Sequence, residues 1–324
     1  ASCAAMANNA AVAYRAPLVA CTLLALSVGC GPPGDGAVAC GELEPRNEKE
    51  VALCNDLGYA VIARVELPAG DPPAGGWPGV VVLHGSGGLF KDYDDSCTEA
   101  PRTQYQHWAQ RLNDAGYAAI FPASFFSRGF CDWTKKAQRP REYTETERLV
   151  TRVFDAAAAG EWLCDNPSVD CSRLAVMGFS NGGSTTLLLM HEDLRDAADD
   201  RLKELTPPTF QGAAAYYPGC SLQEQLTTDV DANQIDRLYY PSAPMFVAHA
   251  SRDHLSDDCR DIRDPQVDLV ASDRGISEDW FDLKIYSGAK HGFDDSEPDD
   301  RPDDYAASQD AQAKVMALFS QWFQ

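Results

Sequence analysis

Gly178-Phe179-Ser180-Asn181-Gly182-Gly183 stands between an apolar run, Arg173-Leu-Ala-Val-Met177, and an apolar, helix-permissive stretch, Ser184 to Met190. The three segments read as a strand, a sharp turn and a helix with a serine at the apex, the arrangement known as a nucleophile elbow. Such a turn holds the serine in a strained backbone conformation and leaves no room for side chains on its flanks, which calls for glycine at 178 and 182. Ser180 is therefore the first candidate nucleophile. A five-residue Gly-x-Ser-x-Gly pattern is common by chance, so its weight comes from its surroundings.

Upstream, Gly79-Val-Val-Val-Leu83 reads as a buried strand running into His84-Gly85-Ser86-Gly87-Gly88, a glycine-rich loop suited to presenting backbone N–H groups to an oxyanion. Downstream, the strand Met245 to Ala250 leads to Ser251-Arg252-Asp253, and the strand Phe281 to Tyr286 leads to His291. The order oxyanion loop, Ser, Asp, His, each after a strand, is that of α/β-hydrolases and not of chymotrypsin-like or subtilisin-like proteases. Further strands are predicted over 58–67, 117–121 and 211–217, and helices over 105–115, 145–163 and 310–323, from apolar spacing and bounding glycines. This alternation implies an α/β fold: one mostly parallel, doubly wound sheet flanked by helices, in a single domain spanning 57–324.

Within that frame His291 is the candidate general base, and Asp253 the group that orients it. Asp257 and Asp258 compete with Asp253, but they lie further from the strand and fit a solvated helix start. The backbone N–H groups of Ser86 and Asn181 are the expected oxyanion donors, with Gly87 as substitute for the first. His84 reads as a brace of its own loop. His254 is expected to be exposed, and His107, His191 and His249 read as ordinary helix or strand residues. Phe125, Phe126 and Trp133 either line a substrate pocket or pack their loop onto the body. The segments 92–102 and 130–142 are long enough to form a lid. No cofactor and no metal is called for, and the acidic run 294–304 lacks calcium-loop spacing.

With 324 residues, 44% of them hydrophobic, the chain can bury a full core. A net charge of −22 excludes nucleic acid and anionic membrane surfaces as partners, and the acidic loops 92–95 and 294–304 read as solvated surface. Residues 1–30 differ in kind: Arg15 precedes an apolar stretch, Pro17 to Val28, too short to span a bilayer and closing on Leu26-Ser-Val-Gly-Cys30. This is the pattern of an export signal, with Cys30 as a candidate lipid anchor, and residues 31–56 follow as tether and N-terminal extension. Eight cysteines come after Cys30, an even number that fits disulfides in an oxidising compartment. Of the 105 pairings that eight cysteines allow, the nearest-neighbour one along the chain is the expectation.

The stretches His84-Gly-Ser-Gly-Gly-Leu89, Trp108 to Tyr117, Phe125-Phe-Ser-Arg-Gly129, Gly178 to Ser184, Tyr217-Pro-Gly-Cys220 and Tyr286 to Phe293 together resemble the dienelactone hydrolase family of α/β-hydrolases. Members that define the family carry a cysteine nucleophile and act on a cyclic enol lactone. Serine stands at that place here, so the resemblance implies a general serine carboxylesterase acting on a small or polymeric ester. It also implies a Cys220–Cys259 bridge, a pair that recurs in a subset of the family. The rivals are a serine peptidase on the same fold and a surface-binding lipoprotein without activity.

Overall fold

Runs of valine and alanine bounded by glycine or proline become the inner strands of an eight-stranded sheet, ordered β1-β2-β4-β3-β5-β6-β7-β8. The computed structural model describes residues 37–91, 97, 100–141, 143–192, 199–221, 239, 241–262 and 280–324. The segment expected to be an export signal, Cys30, the acidic run 92–95 and parts of both lid candidates lie outside them. The strands are β1 Glu50–Cys54, β2 Ala60–Glu66, β3 Trp77–Leu83, β4 Ala118–Pro122, β5 Val169–Phe179, β6 Gly212–Tyr216, β7 Met245–Ala250 and β8 Phe281–Tyr286. From β4 through β8 all neighbours run parallel, whereas β1 with β2 and β2 with β4 are antiparallel.

Both faces of the central parallel portion are covered, so β3, β4, β6, β7 and the second half of β5 are buried, largely apolar runs, whereas the edge strand β8 alternates with Asp282 and Lys284. Alternate residues feed two cores. Val81 and Leu83 of β3 and Leu174 and Val176 of β5 face one, with helices α2 (Glu145–Asp165) and α3 (Asn181–Leu189). Val80, Val82, Ala175 and Met177 face the other, with α1 (Thr103–Asp114) and the last helix. Each fully buried side chain of this size adds about 1.5–3 kcal/mol relative to exposure. Among the described residues, the short helices α4 (Asp200–Lys203) and α5 (Ser256–Ile262) precede the last, α6 (Pro302–Trp322).

Besides the unpredicted short helix α4, β1 and α6 depart from the sequence expectation. β1 lies in the N-terminal extension, where no strand is predicted, and pairs along its whole length with β2. α6 begins at Pro302, well before residue 310, because proline suits the first helical position and Asp303 and Asp304 complement the helix dipole. Four disulfides join Cys40–Cys54, Cys97–Cys131, Cys164–Cys171 and Cys220–Cys259, the nearest-neighbour pairing and a signature of oxidising, extracytoplasmic surroundings. Among the described residues no helix is long and apolar enough to cross a membrane.

Candidate active site

The turn from β5 to α3 places Ser180 at φ 51° and ψ −117°, a conformation costly for any residue with a side chain. The surrounding glycines permit it by close approach. A Cβ on Gly178 would overlap the carbonyl of Gly182, and one on Gly182 would overlap the carbonyl of Leu83. The backbone N–H of Ser180 donates to Tyr216 O at 2.8 Å, which ties the elbow to the end of β6.

Loops after β7 and β8 bring the partners to this serine. Ser251 N–H donates to Tyr286 O and Arg252 N–H to Ala289 O, both at 3.0 Å, so the acid loop and the histidine loop are bonded to each other. His291 Nδ1–H donates to Asp253 Oδ2 at 2.5 Å, and its Nε2 lies 2.9 Å from Ser180 Oγ, placed to accept the hydroxyl proton. An ionised carboxylate can only accept, which sets the imidazole tautomer. Asp253 is 5% exposed, and its second oxygen accepts from Leu255 N–H. His249 does not compete for it: its Nδ1 accepts from Ala250 N–H, its Nε2–H donates to Pro218 O, and burial lowers its pKa, keeping the ring neutral. Asp257 and Asp258 sit in the first turn of α5, Asp257 paired with Arg260, and His254 is exposed.

The oxyanion loop is tied down at four carbonyls. His84 O accepts from Arg152 Nη2 at 2.5 Å, Gly85 O from Gly88 N–H at 3.1 Å, Ser86 O from Trp133 N–H at 2.8 Å, and Gly87 O from Arg102 Nε at 2.8 Å. His84 adds its Nδ1–H to Gly85 O at 2.8 Å, bracing the loop as its place in the sequence implies, and burial holds its pKa well below the ordinary value. Gly85 N–H donates to the Tyr105 hydroxyl at 2.8 Å. The N–H groups of Ser86, Gly87 and Asn181 have no protein acceptor among the described residues. A Cβ on Gly85 would lie 3.4 Å from Ser180 Cβ, so the loop that carries Ser86 and Gly87 approaches the serine closely.

Phe125 and Trp133 are buried with Phe130 and Tyr143 in an aromatic cluster. Phe125 meets His84 edge-on at 4.7 Å and stacks on Phe130 at 4.9 Å, while the guanidinium groups of Arg139 and Arg148 lie 4.1 and 4.4 Å from the Trp133 ring centre. Phe126 is half-buried against Phe90 and Arg46. Of the two readings open for these rings, packing of the loop onto the body matches their burial. A cavity of about 1180 Å³ between α1 and β2 contains none of the residues around Ser180 except Tyr105 in its wall.

Three side chains at the site carry no role in the sequence reading. Tyr217, at φ 38°, lays its ring 4.6 Å from that of His291 and donates its hydroxyl to Asp294. Asp294, read as solvated surface, is instead fully buried and also accepts from Trp108 Nε1 and Gln104 Nε2. Burial raises its pKa against the pull of these donors. Arg152 is wholly buried and reaches Asn181 Oδ1 as well as His84 O. The signal for the last was present: Arg148, Arg152 and Asp155 recur at i, i+4 and i+7 in an alanine-rich helix, beside the apolar stripe of Leu149, Val153 and Ala156.

Solved structures share this architecture. A dienelactone hydrolase-like promiscuous phosphotriesterase, P91, from metagenomic libraries superposes with a TM-score of 0.56 at 20% identity, over 85% of this chain and 98% of that one. The metagenomic carboxylesterase EstE1 gives 0.50 at 19%, over 87% and 91%. A puromycin-hydrolyzing peptidase of Mycobacterium tuberculosis gives 0.53 at 19%, over 86% of this chain but 41% of the peptidase. At such identities the likeness is one of fold. No curated protein matches the chain significantly. The dienelactone hydrolase family, in contrast, matches from Val65 in β2 to Phe323 at the end of α6, through the elbow and both loops that meet Ser180, and the chain belongs to that family of hydrolases.

Proposed function

We propose that the chain is a serine carboxylic ester hydrolase working through an acyl-enzyme. The observation that carries this is the unbroken hydrogen-bonded line from Asp253 through His291 to Ser180, ending beside backbone N–H groups with no other acceptor among the described residues. Ser180 Oγ attacks the ester carbonyl as His291 Nε2 takes its proton, and Asp253 stabilises the imidazolium that results. The carbonyl oxygen, now anionic, accepts from Asn181 N–H and Ser86 N–H, with Gly87 N–H as neighbour to the second. His291 returns the proton to the departing alkoxide, which leaves as the alcohol. Water then attacks the acyl-enzyme, its proton passing to His291 and on to Ser180 as the acid is released. No cofactor enters these steps.

Phe125 and Trp133 serve by bracing the oxyanion loop, and of the three rings Phe126 alone keeps surface to offer a substrate. The export signal at 1–30 and the four disulfides support action outside the cytoplasm, with Cys30 as the proposed anchor. The test is hydrolysis of p-nitrophenyl esters of rising acyl length by the wild type and by Ser180→Ala. Turnover that falls by about 10⁴-fold or more in the variant supports the reading. Cleavage of peptide amides in preference to esters favours the peptidase, and no turnover of either leaves the binding protein.

A further inference from the structure

We propose that Arg152 is the positioning residue of the oxyanion hole, its guanidinium clamping the elbow to the oxyanion loop from behind so that the two donor segments keep a fixed separation. This rests on the esterase reading of Ser180. The two donors come from segments far apart in the chain, the turn after β5 and the loop after β3. Backbone hydrogen bonds between β3 and β5 end at Leu83 and Gly178, before either segment begins. Beyond that point Arg152 spans the junction: Nη1 donates to Asn181 Oδ1 and Nη2 to His84 O. The residue bonded through its side chain is therefore the one whose N–H faces the oxyanion. On the other side, the peptide between His84 and Gly85 is held at both ends, its carbonyl by Arg152 from α2 and its N–H by Tyr105 from α1.

The chemistry of the residue argues for a role beyond filling space. A buried guanidinium without a carboxylate is an expensive way to pack a core. Arg128 nearby shows the ordinary solution: Nη1 and Nη2 both bond to Asp155, whose Oδ1 also accepts from Asn55. Arg152 has no carboxylate within ion-pair distance among the described residues, and burial pushes its pKa down to about 10, which leaves it charged at neutral pH. It lies 5.1 Å from the Phe125 ring, which itself abuts His84, and Arg152, Phe125, His84 and Asn181 are all buried. A fixed positive charge behind two donors favours negative charge in front of them, and that charge exists only in the transition state and the tetrahedral intermediate.

The experiment compares wild type, Arg152→Met, Arg152→Lys and Asn181→Ala on one p-nitrophenyl ester. Each rate is normalised to active sites titrated with a fluorophosphonate, which removes any unfolded fraction from the comparison. Inhibition by a trifluoromethyl ketone, which forms an oxyanion on Ser180, is measured beside it. We expect kcat per titrated site to fall about 10²-fold in Arg152→Met with little change in KM, and affinity for the ketone to fall in parallel. Asn181→Ala, which keeps the backbone donor and removes the guanidinium's acceptor, is expected to lose in the same sense. If Arg152→Met does not fold, Arg152→Lys and Asn181→Ala carry the test. Wild-type kcat and ketone affinity in both of these would overturn the clamp, as would a fall in kcat with ketone affinity unchanged. A wild type that is neither labelled nor active instead refutes the esterase reading itself.

Discussion

A serine hydroxyl near neutral pH is almost wholly protonated, so its usefulness depends on the base beside it and on what holds that base. Here Asp253, on the loop after β7, is the only carboxylate bonded to His291 among the described residues. Asp253→Asn is expected to lower kcat by about 10⁴-fold, because the amide can present a donor and favour the wrong tautomer. Asp257→Asn, changed on the neighbouring helix turn, is expected to leave ester turnover as it was; equal losses in both would displace Asp253 from its role. Asp294 makes a prediction about stability. Asp294→Ala strands Trp108 Nε1–H, the Tyr217 hydroxyl and Gln104 in the interior, a loss of about 3–5 kcal/mol by chemical denaturation. The raised pKa fixes the sign of its pH dependence. The folded protein takes up the Asp294 proton before the unfolded chain does, so the burden of the buried charge is present above the folded value and lifts as pH falls through it. The wild type gains this relief and Asp294→Ala does not, so the stability gap between them should widen from about pH 7 towards about pH 4. A gap that narrows would mean that Asp294 is held ionised.

At the scale of elements, the elbow depends on α3 pressing its first turn against the end of β3. Gly182→Ala sets a methyl group against the carbonyls of Leu83 and His84, and both belong to backbone that cannot rotate away. We expect that variant to lose most ester turnover and to melt lower, since shifting α3 moves Asn181 N–H away from its partner donor; unchanged turnover would show that the junction is looser than described. Sequence alone made this part of the molecule legible, because glycine spacing around Ser180 and the strands before Asp253 and His291 are local patterns. What it left out is non-local. β1 is a five-residue edge strand whose pairing with β2 decides its conformation, and no periodicity over so few residues marks it. Arg152 and Asp155 look like the solvated side of an alanine-rich helix until α2 is seen to be covered on nearly all sides. Asp294 hides in a run of acids, and the approach of α1, of Tyr217 after β6 and of α6 makes it interior.

For the molecule as a whole, the sheet acts as a frame that delivers three separate loops to one point at the C-terminal ends of its strands. The Cys220–Cys259 bridge strengthens that frame where it matters: it joins the loop after β6, whose Gly219 N–H donates to Ser184 Oγ of α3, to helix α5 just beyond Asp253. The eight disulfide-bonded cysteines are withdrawn from nucleophilic chemistry, and among the serines of the described residues only Ser180 has a histidine placed to take its proton. The most direct measurement is the intact mass of the folded, disulfide-bonded chain after reaction with a fluorophosphonate, followed by peptide mapping. If Ser180 is the nucleophile, each chain gains one adduct, the adduct maps to the peptide containing Ser180, and Ser180→Ala gains none. An adduct that persists in Ser180→Ala, or an ester-hydrolysing chain that takes up no label, would contradict it.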